Sequence, residues 1–360
     1  MKESTMLPPA AKTILLTGAA GVLGQSLIDA LAPHHRLICL MHRNGIADDR
    51  VDLLRGDVTQ PRFGLDAPSF EALAERIDWI VHSAAVTRLE GQGDDIERVN
   101  VDGTRHVLEL ARLADCPLYH ISTAFVHDCD YFEGAGPGTA YELSKRKAEG
   151  LVRDSGVAAS IFRPSIVIGD SNTGHMPSFQ GFHLTAGLVA SGVLPVIPSP
   201  PEALVDVIAR DVAAQAIRHA LDRGLLGREF FLSSGRQAPT VAELVAVIGD
   251  AVVAQGRSFK APRCVHPDVF DRLLKPVFLP MVNVELRQAL LRAAAMCRYV
   301  SLRSPLPSDL HELLGPEASA SRDPLQELKQ SIEYMRPKLA AFSRMAGLAA
   351  SARPAVELAR

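Results

Sequence analysis

The chain has 360 residues, 47% hydrophobic and 22% charged, and its formal net charge of −3 leaves no basic excess to neutralise the phosphates of a nucleic acid. Its five cysteines (Cys39, Cys116, Cys129, Cys264, Cys297) are scattered and never form a C-x-x-C pair, so free thiols in a reducing cytoplasm are expected, without a zinc site. The first residues, "MKESTMLPPAAKT", lack the apolar run of a signal peptide, and no apolar stretch reaches the roughly 18 residues of a membrane span.

In chain order, "TILLTG" (13–18) is a short apolar strand ending in glycine, and "VLGQSLIDALA" (22–32) has helical spacing that Pro33 stops. "RLICLM" (36–41) and "VDLLRGD" (51–57) read as strands. The helical "SFEALAER" (69–76) then leads into the strand "IDWIVHSAA" (77–85). "IERVNVDGTRHVLELARLA" (96–114) reads as one long amphipathic helix, followed by the strand "PLYHIST" (117–123). "AYELSKRKAEGLVRD" (140–154) is a helix, and "ASIFRPSIVIG" (159–169) is a single sixth strand running into a turn. Strands alternating with helices imply βαβ units, hence an α/β doubly wound parallel sheet of Rossmann type.

After Gly174 the rhythm changes. The proline-rich "GVLPVIPSPPEALVDV" (192–207) cannot be regular helix, while "REFFLSSG" (228–235) reads as one more strand. "TVAELVAVIGDAVVAQG" (240–256) is a helix capped by Thr240, and from Cys264 to Leu302 the chain is apolar and helical in character. The expected division is a nucleotide-binding domain over 12–174 with sheet segments returning at 200–235. A smaller, mostly helical substrate-binding part takes 175–199 and 236–330, and a helical or poorly ordered tail takes 331–360.

"TGAAGVLG" places Gly18, Gly21 and Gly24 between the first strand and the first helix. A diphosphate needs bare backbone and free helix N–H groups at such a turn. The second strand ends in Met41, His42 and Arg43, with no acid before Asp48 to hold a ribose 2′-hydroxyl. Arg43 would instead grip a 2′-phosphate, so NADP(H) is expected. "YELSK" sets Tyr141 and Lys145 on one helix face at the carboxyl end of the sheet. There the lysine would reach the cofactor ribose and lower the Tyr141 pKa, with Thr123, or its neighbour Ser122, bonding a substrate carbonyl. "YMRPK" (334–338) repeats the spacing, but no strand precedes it and Pro337 interrupts it.

The pattern T-G-x-x-G-x-x-G, with "GDV" (56–58), "HSAAVT" (82–87), "NVDGT" (100–104), "YELSK" and "RPSIV" (163–167), resembles the extended short-chain dehydrogenase/reductase superfamily over residues 12–235. "GDVTQPRFGL", "VHSAAVTRLEG" and above all "FRPSIVIGDSNTG" resemble its fatty acyl-CoA reductase and thioester reductase branch, the male sterility type. Val22 stands where that family commonly has phenylalanine. The resemblance implies cofactor contacts from Thr17, Gly18, Gly21, Val22, Leu23, Gly24, Arg43, Asp57 and Val58. It implies further contacts from Ser83, Ala84, Ala85, Tyr141, Lys145, Pro164 and Ile166, and gives Asn100 a structural role.

Thr123, Tyr141 and Lys145 are the expected catalytic residues, in an NADP(H)-dependent oxidoreductase reducing an acyl thioester to aldehyde or on to alcohol. The substrate would be an acyl-CoA or an acyl group on a carrier protein. Two rivals stay open: the same fold acting on a nucleotide sugar, steroid or other alcohol–ketone pair, or a dinucleotide-binding regulator without turnover. The oligomeric state and the role of the chain beyond residue 255 are not set by the sequence.

Overall fold

The computed structural model describes residues 10–42, 45–87, 93–132 and 138–338. Its strands are β1 (Thr13–Thr17), β2 (Arg36–Met41), β3 (Val51–Arg55), β4 (Trp79–His82), β5 (Leu118–Ile121) and β6 (Ala159–Pro164). They continue with β7 (Ile166–Ile168), β8 (Val196–Ile197), β9 (Val207–Ala209), β10 (Glu229–Leu232) and β11 (Arg263–Cys264). The first eight helices are α1 (Val22–Leu31), α2 (Ala67–Arg76), α3 (Gly93–Glu97), α4 (Gly103–Leu113), α5 (Ala140–Arg153), α6 (Gly181–Ala190), α7 (Arg210–Asp222) and α8 (Val241–Val253).

Seven strands form one parallel sheet in the order β10-β6-β5-β4-β1-β2-β3, the doubly wound order. Its strands are runs of Val, Ile and Leu because both faces are covered. Ile14 and Leu16 of β1 enter one core with Leu27 of α1 and Ile217 of α7, while Leu15 enters another with Leu73 of α2 and Val107 of α4. The strand order reverses between β1 and β4, which opens a crevice at their carboxyl ends.

The long helix expected over 96–114 is interrupted. Between α3 and α4, residues Arg98–Asp102 form a π-turn, the extra residue that such turns insert at functional sites. The single strand expected over 159–169 also divides. β5 ends opposite Phe162 and Pro164 has no N–H to offer, so the chain leaves the sheet after Ser165 and β7 pairs with β9 instead.

A third core holds the second part together, joining Phe182 of α6, Leu244 and Ile248 of α8, Tyr299, Leu302 and Leu328. Thr240 and Glu243 close a reciprocal capping box at the start of α8. The stretch from Cys264 to Leu302 is not one helix: Pro267, Pro276 and Pro280 cut it into short turns before a longer helix, Val284–Cys297. The helix Pro324–Met335 runs through the boundary expected at residue 330, with Ile332 and Met335 buried in this third core. Residues 339–360, most of the expected tail, lie outside the described residues.

Candidate active site

The site starts at the turn between β1 and α1. Gly18 has φ +72°, and a Cβ there would stand 2.5 Å from the Ala84 nitrogen, because the chain leaving β4 crosses directly over it. A Cβ on Gly24 would meet the Gly18 carbonyl oxygen at 2.1 Å. Only bare backbone fits both places. Gly21, at the N-cap, leaves the first N–H groups of α1 without a capping side chain, which is the cradle a diphosphate requires.

A groove of about 690 Å³ opens from this turn along the carboxyl ends of the strands. Gly18, Gly21, Asp57, Val58, Ser83, Ala84 and Ala85, all expected cofactor contacts, line it. Thr17, Val22, Leu23 and Gly24 lie behind its wall, where Val22 and Leu23 are buried and support the turn. Pro164 ends β6, and Ile166 belongs to the core of the second part. Arg43 lies outside the described residues. Asp48, the first acid past β2, is engaged by Arg50 at 2.6 Å.

Behind the groove runs a buried polar chain that the sequence reading missed. Thr104 Oγ1 gives its one proton to the Asn100 carbonyl (2.7 Å), so it accepts from His82 Nε2 (3.2 Å). Nδ1 of the neutral ring then accepts from Thr17 Oγ1 (2.7 Å), which itself accepts from the Ala84 N–H (3.2 Å). Burial, reinforced by the Lys145 charge, holds the His82 pKa down at about 3, so the ring is neutral. The only sequence signal was a histidine in an otherwise apolar strand.

The π-turn presents Asn100 to two segments at once. Its side chain accepts from the Val86 N–H (2.8 Å), donates to the Val86 carbonyl (3.1 Å) and donates to Ser144 Oγ (2.9 Å). Ser144 in turn donates to the Tyr141 carbonyl (2.8 Å). Asn100 thus ties the groove wall to the helix carrying Tyr141, in keeping with its expected structural role.

Thr139 caps α5, accepting from the Glu142 N–H at 3.2 Å, and so fixes Tyr141 in the first turn. The Thr123 side chain, just past β5, lies near the Tyr141 hydroxyl and acts to lower its pKa. Of the two hydroxyl candidates, Ser122 has its Oγ buried without a hydrogen-bond partner among the described residues, while Thr123 Oγ1 accepts from the Phe125 N–H at 3.5 Å and lies near Tyr141.

The electrostatics differ from expectation. Tyr141 is not lowered; burial pushes its pKa up to about 12, against the pull of Thr123. Lys145 donates instead to the Ile121 carbonyl at 2.7 Å, and its own pKa falls to about 8 because burial penalises the ammonium more than Glu149 supports it.

The second part reaches this helix through two adjacent residues. Arg298 pairs with the buried Glu142 (3.1 Å), and the Tyr299 hydroxyl bonds Thr139 Oγ1 (2.8 Å). The decoy pair lies elsewhere: Lys338 sits over the rings of Phe179 and Tyr334, and Tyr334 meets His175. Among the described residues, no three His, Cys, Asp or Glu side chains are placed to share a metal, and no helix is long and apolar enough to cross a membrane.

The family of NAD-binding domains described as male sterility protein matches residues 40–217. The glycine betaine reductase ATRR of Emericella nidulans is 28% identical over 266 residues, covering 61% of this chain and 21% of its own. An isonitrile lipopeptide synthase of Mycobacterium tuberculosis is 27% identical over 241 residues, or 52% of this chain and 10% of its own. The chain therefore spans about a fifth or less of these relatives. A dTDP-glucose 4,6-dehydratase of Mycobacterium tuberculosis is 29% identical over 248 residues, 61% of this chain and 72% of its own. Among solved structures, the terminal R domain of the myxalamid PKS-NRPS pathway shares the fold with a TM-score of 0.71 at 24% identity, covering 94% of both chains. WbmH of Bordetella bronchiseptica, solved with NAD+, has a TM-score of 0.63 at 17% identity, covering 91% of this chain and 98% of its own. Residues 40–217 thus match the male sterility type of NAD-binding domain, and with its glycine turn and doubly wound sheet the chain is an oxidoreductase of the extended short-chain dehydrogenase/reductase type that uses a nicotinamide cofactor.

Proposed function

We propose that the chain is an NADP(H)-dependent reductase of acyl thioesters, with Thr123, Tyr141 and Lys145 as its catalytic residues. The observation that carries the reading is the placement of Tyr141, in the first turn of α5, beside Thr123 at the carboxyl end of β5, with Lys145 one turn further along the helix. A bound nicotinamide supplies the hydride. The glycine turn holds the diphosphate, and Asp57, Val58, Ser83, Ala84 and Ala85 flank the adenosine half. With its pKa raised to about 12, Tyr141 is fully protonated at neutral pH and acts as a donor to the carbonyl oxygen as negative charge develops there. Thr123 orients that oxygen. The protonated adduct is a hemithioacetal, whose C–S bond breaks to release thiol and aldehyde, and a second hydride and proton would give the alcohol.

The thioester comes from the likeness of "FRPSIVIGDSNTG" to thioester reductases, and from relatives whose names describe a reductase and a lipopeptide synthase. Delivery on a carrier protein suits the fold likeness to a thiolation-reductase di-domain. The substrate would enter against the second part, residues 175–199 and 236–330, whose α6 and α8 are apolar. A second reading, a nucleotide-sugar substrate, is favoured by the dehydratase match over 72% of that enzyme. Incubation with NADPH and a panel of acyl-CoA and acyl-carrier substrates decides it. NADPH oxidation matched by released thiol, read with a chromogenic disulfide, is expected. Oxidation with ketones or sugar nucleotides, and no thiol from any thioester, would replace the first reading with the second.

A further inference from the structure

We infer that Arg55, at the end of β3, seats the adenosine 2′-phosphate and sets the choice of NADP(H) over NAD(H); this rests on the cofactor reading above. β2 and β3 pair in register, Met41 opposite Arg55, and the Gly56 N–H extends the ladder to the Met41 carbonyl at 2.9 Å. Arg55 therefore stands one strand over from the position where a carboxylate would bind a ribose 2′-hydroxyl, and at the same height. Gly56 is needed to bring the chain this low: a Cβ there would lie 2.8 Å from Leu40 Cδ1 and 2.9 Å from the Phe63 carbonyl oxygen.

Beside the cofactor groove lies a second hollow lined by His42, Arg55, Gly56, Asp57, Phe63 and Gly64, and the two share His42, Gly56 and Asp57. Among the described residues, three charged or titratable side chains line it. The Asp57 carboxylate is engaged twice, by the Thr59 N–H at 2.9 Å and by His42 Nε2 at 3.2 Å. Arg55 is exposed and, among the described residues, has no hydrogen bond, ion pair or ring contact. The neighbouring arginines on this edge differ: Arg36 is paired with Asp52, and Arg50 with Asp48 and Asp29. A free guanidinium fork beside a dinucleotide groove suits a phosphate dianion, to which it offers two parallel N–H donors. His42 Nε2 and the Thr59 N–H both engage the Asp57 carboxylate, which borders the same hollow.

Binding titrations of NADPH and NADH to the native chain, Arg55→Ala and Arg55→Lys test this, with 2′,5′-ADP and 5′-AMP as competitors that isolate the phosphate. The native chain should prefer NADPH. Arg55→Ala should weaken NADPH and 2′,5′-ADP about tenfold to a hundredfold, as expected for a lost charge-assisted bond, and leave NADH and 5′-AMP unchanged. Arg55→Lys should keep part of the preference. An undiminished NADPH preference in Arg55→Ala overturns the inference alone, as does equal weakening of both cofactors. A native chain with no NADPH preference overturns the cofactor reading beneath it.

Discussion

A phenol whose pKa burial pushes up to about 12, as at Tyr141, is a donor first, and that fixes what its removal should do. Tyr141→Phe keeps the ring and deletes the proton, so turnover should fall about a hundredfold to ten-thousandfold while NADPH binding persists. Tyr334→Phe, from the decoy pair, should leave turnover within about twofold; equal losses in a steady-state comparison would undo the assignment. Lys145 makes a different prediction. Its native pKa, lowered from 10.5 to about 8, means that the unfolded chain keeps between those values a proton that the folded chain has shed. Stability therefore rises with pH across this window, and the burial cost is full below it. Relative to Lys145→Met, which cannot titrate, the native chain should gain up to about 3 kcal/mol between pH 8 and 10.5. Denaturant unfolding of both proteins at the two ends measures it, and a constant difference would mean that Lys145 titrates normally.

The turn, the π-insertion and the capped helix each set one part of the site. For the turn, two opposed effects can be weighed at Gly24. Alanine would favour α1 by about 1 kcal/mol through helix propensity, but its methyl would lie 2.1 Å from a backbone oxygen that cannot move alone. Overpacking of that kind costs about 3 kcal/mol, so the clash wins, and Gly24→Ala should lose stability and cofactor binding together. Gly21→Ala, whose Cβ meets only the Gly18 oxygen at 3.1 Å, should fold within about 1 kcal/mol of the native chain yet bind NADPH less well. Thermal unfolding with and without NADPH separates the two. These glycines were legible in the sequence because their spacing reports a backbone requirement. The π-turn was not, because "IERVNVDGTRHVLELARLA" keeps one amphipathic pattern through it and only the contacts of Asn100 with Val86 and Ser144 require the extra residue.

At the scale of the molecule, the second part holds α5, which carries Tyr141, through Arg298 and Tyr299, about 160 residues away in sequence. Arg298→Met would strand the buried Glu142 carboxylate beside Tyr141. Breaking a buried pair from one side costs about 3–5 kcal/mol, so denaturant unfolding should show a loss of that order. A loss below about 0.5 kcal/mol would mean that the two parts are not coupled through this pair. By itself the sequence determined the alternating sheet, the glycine cradle and the Tyr141–Lys145 spacing, because each is a local pattern with one physical reading. Only the tertiary structure decided that Lys145 spends its bond on the Ile121 carbonyl and that β7 leaves the sheet for β9. It also placed Arg55 in the hollow beside the groove. Each of these depends on which distant strand or helix stands opposite, and burial and partner geometry of that kind leave no mark on the spacing of residues along the chain.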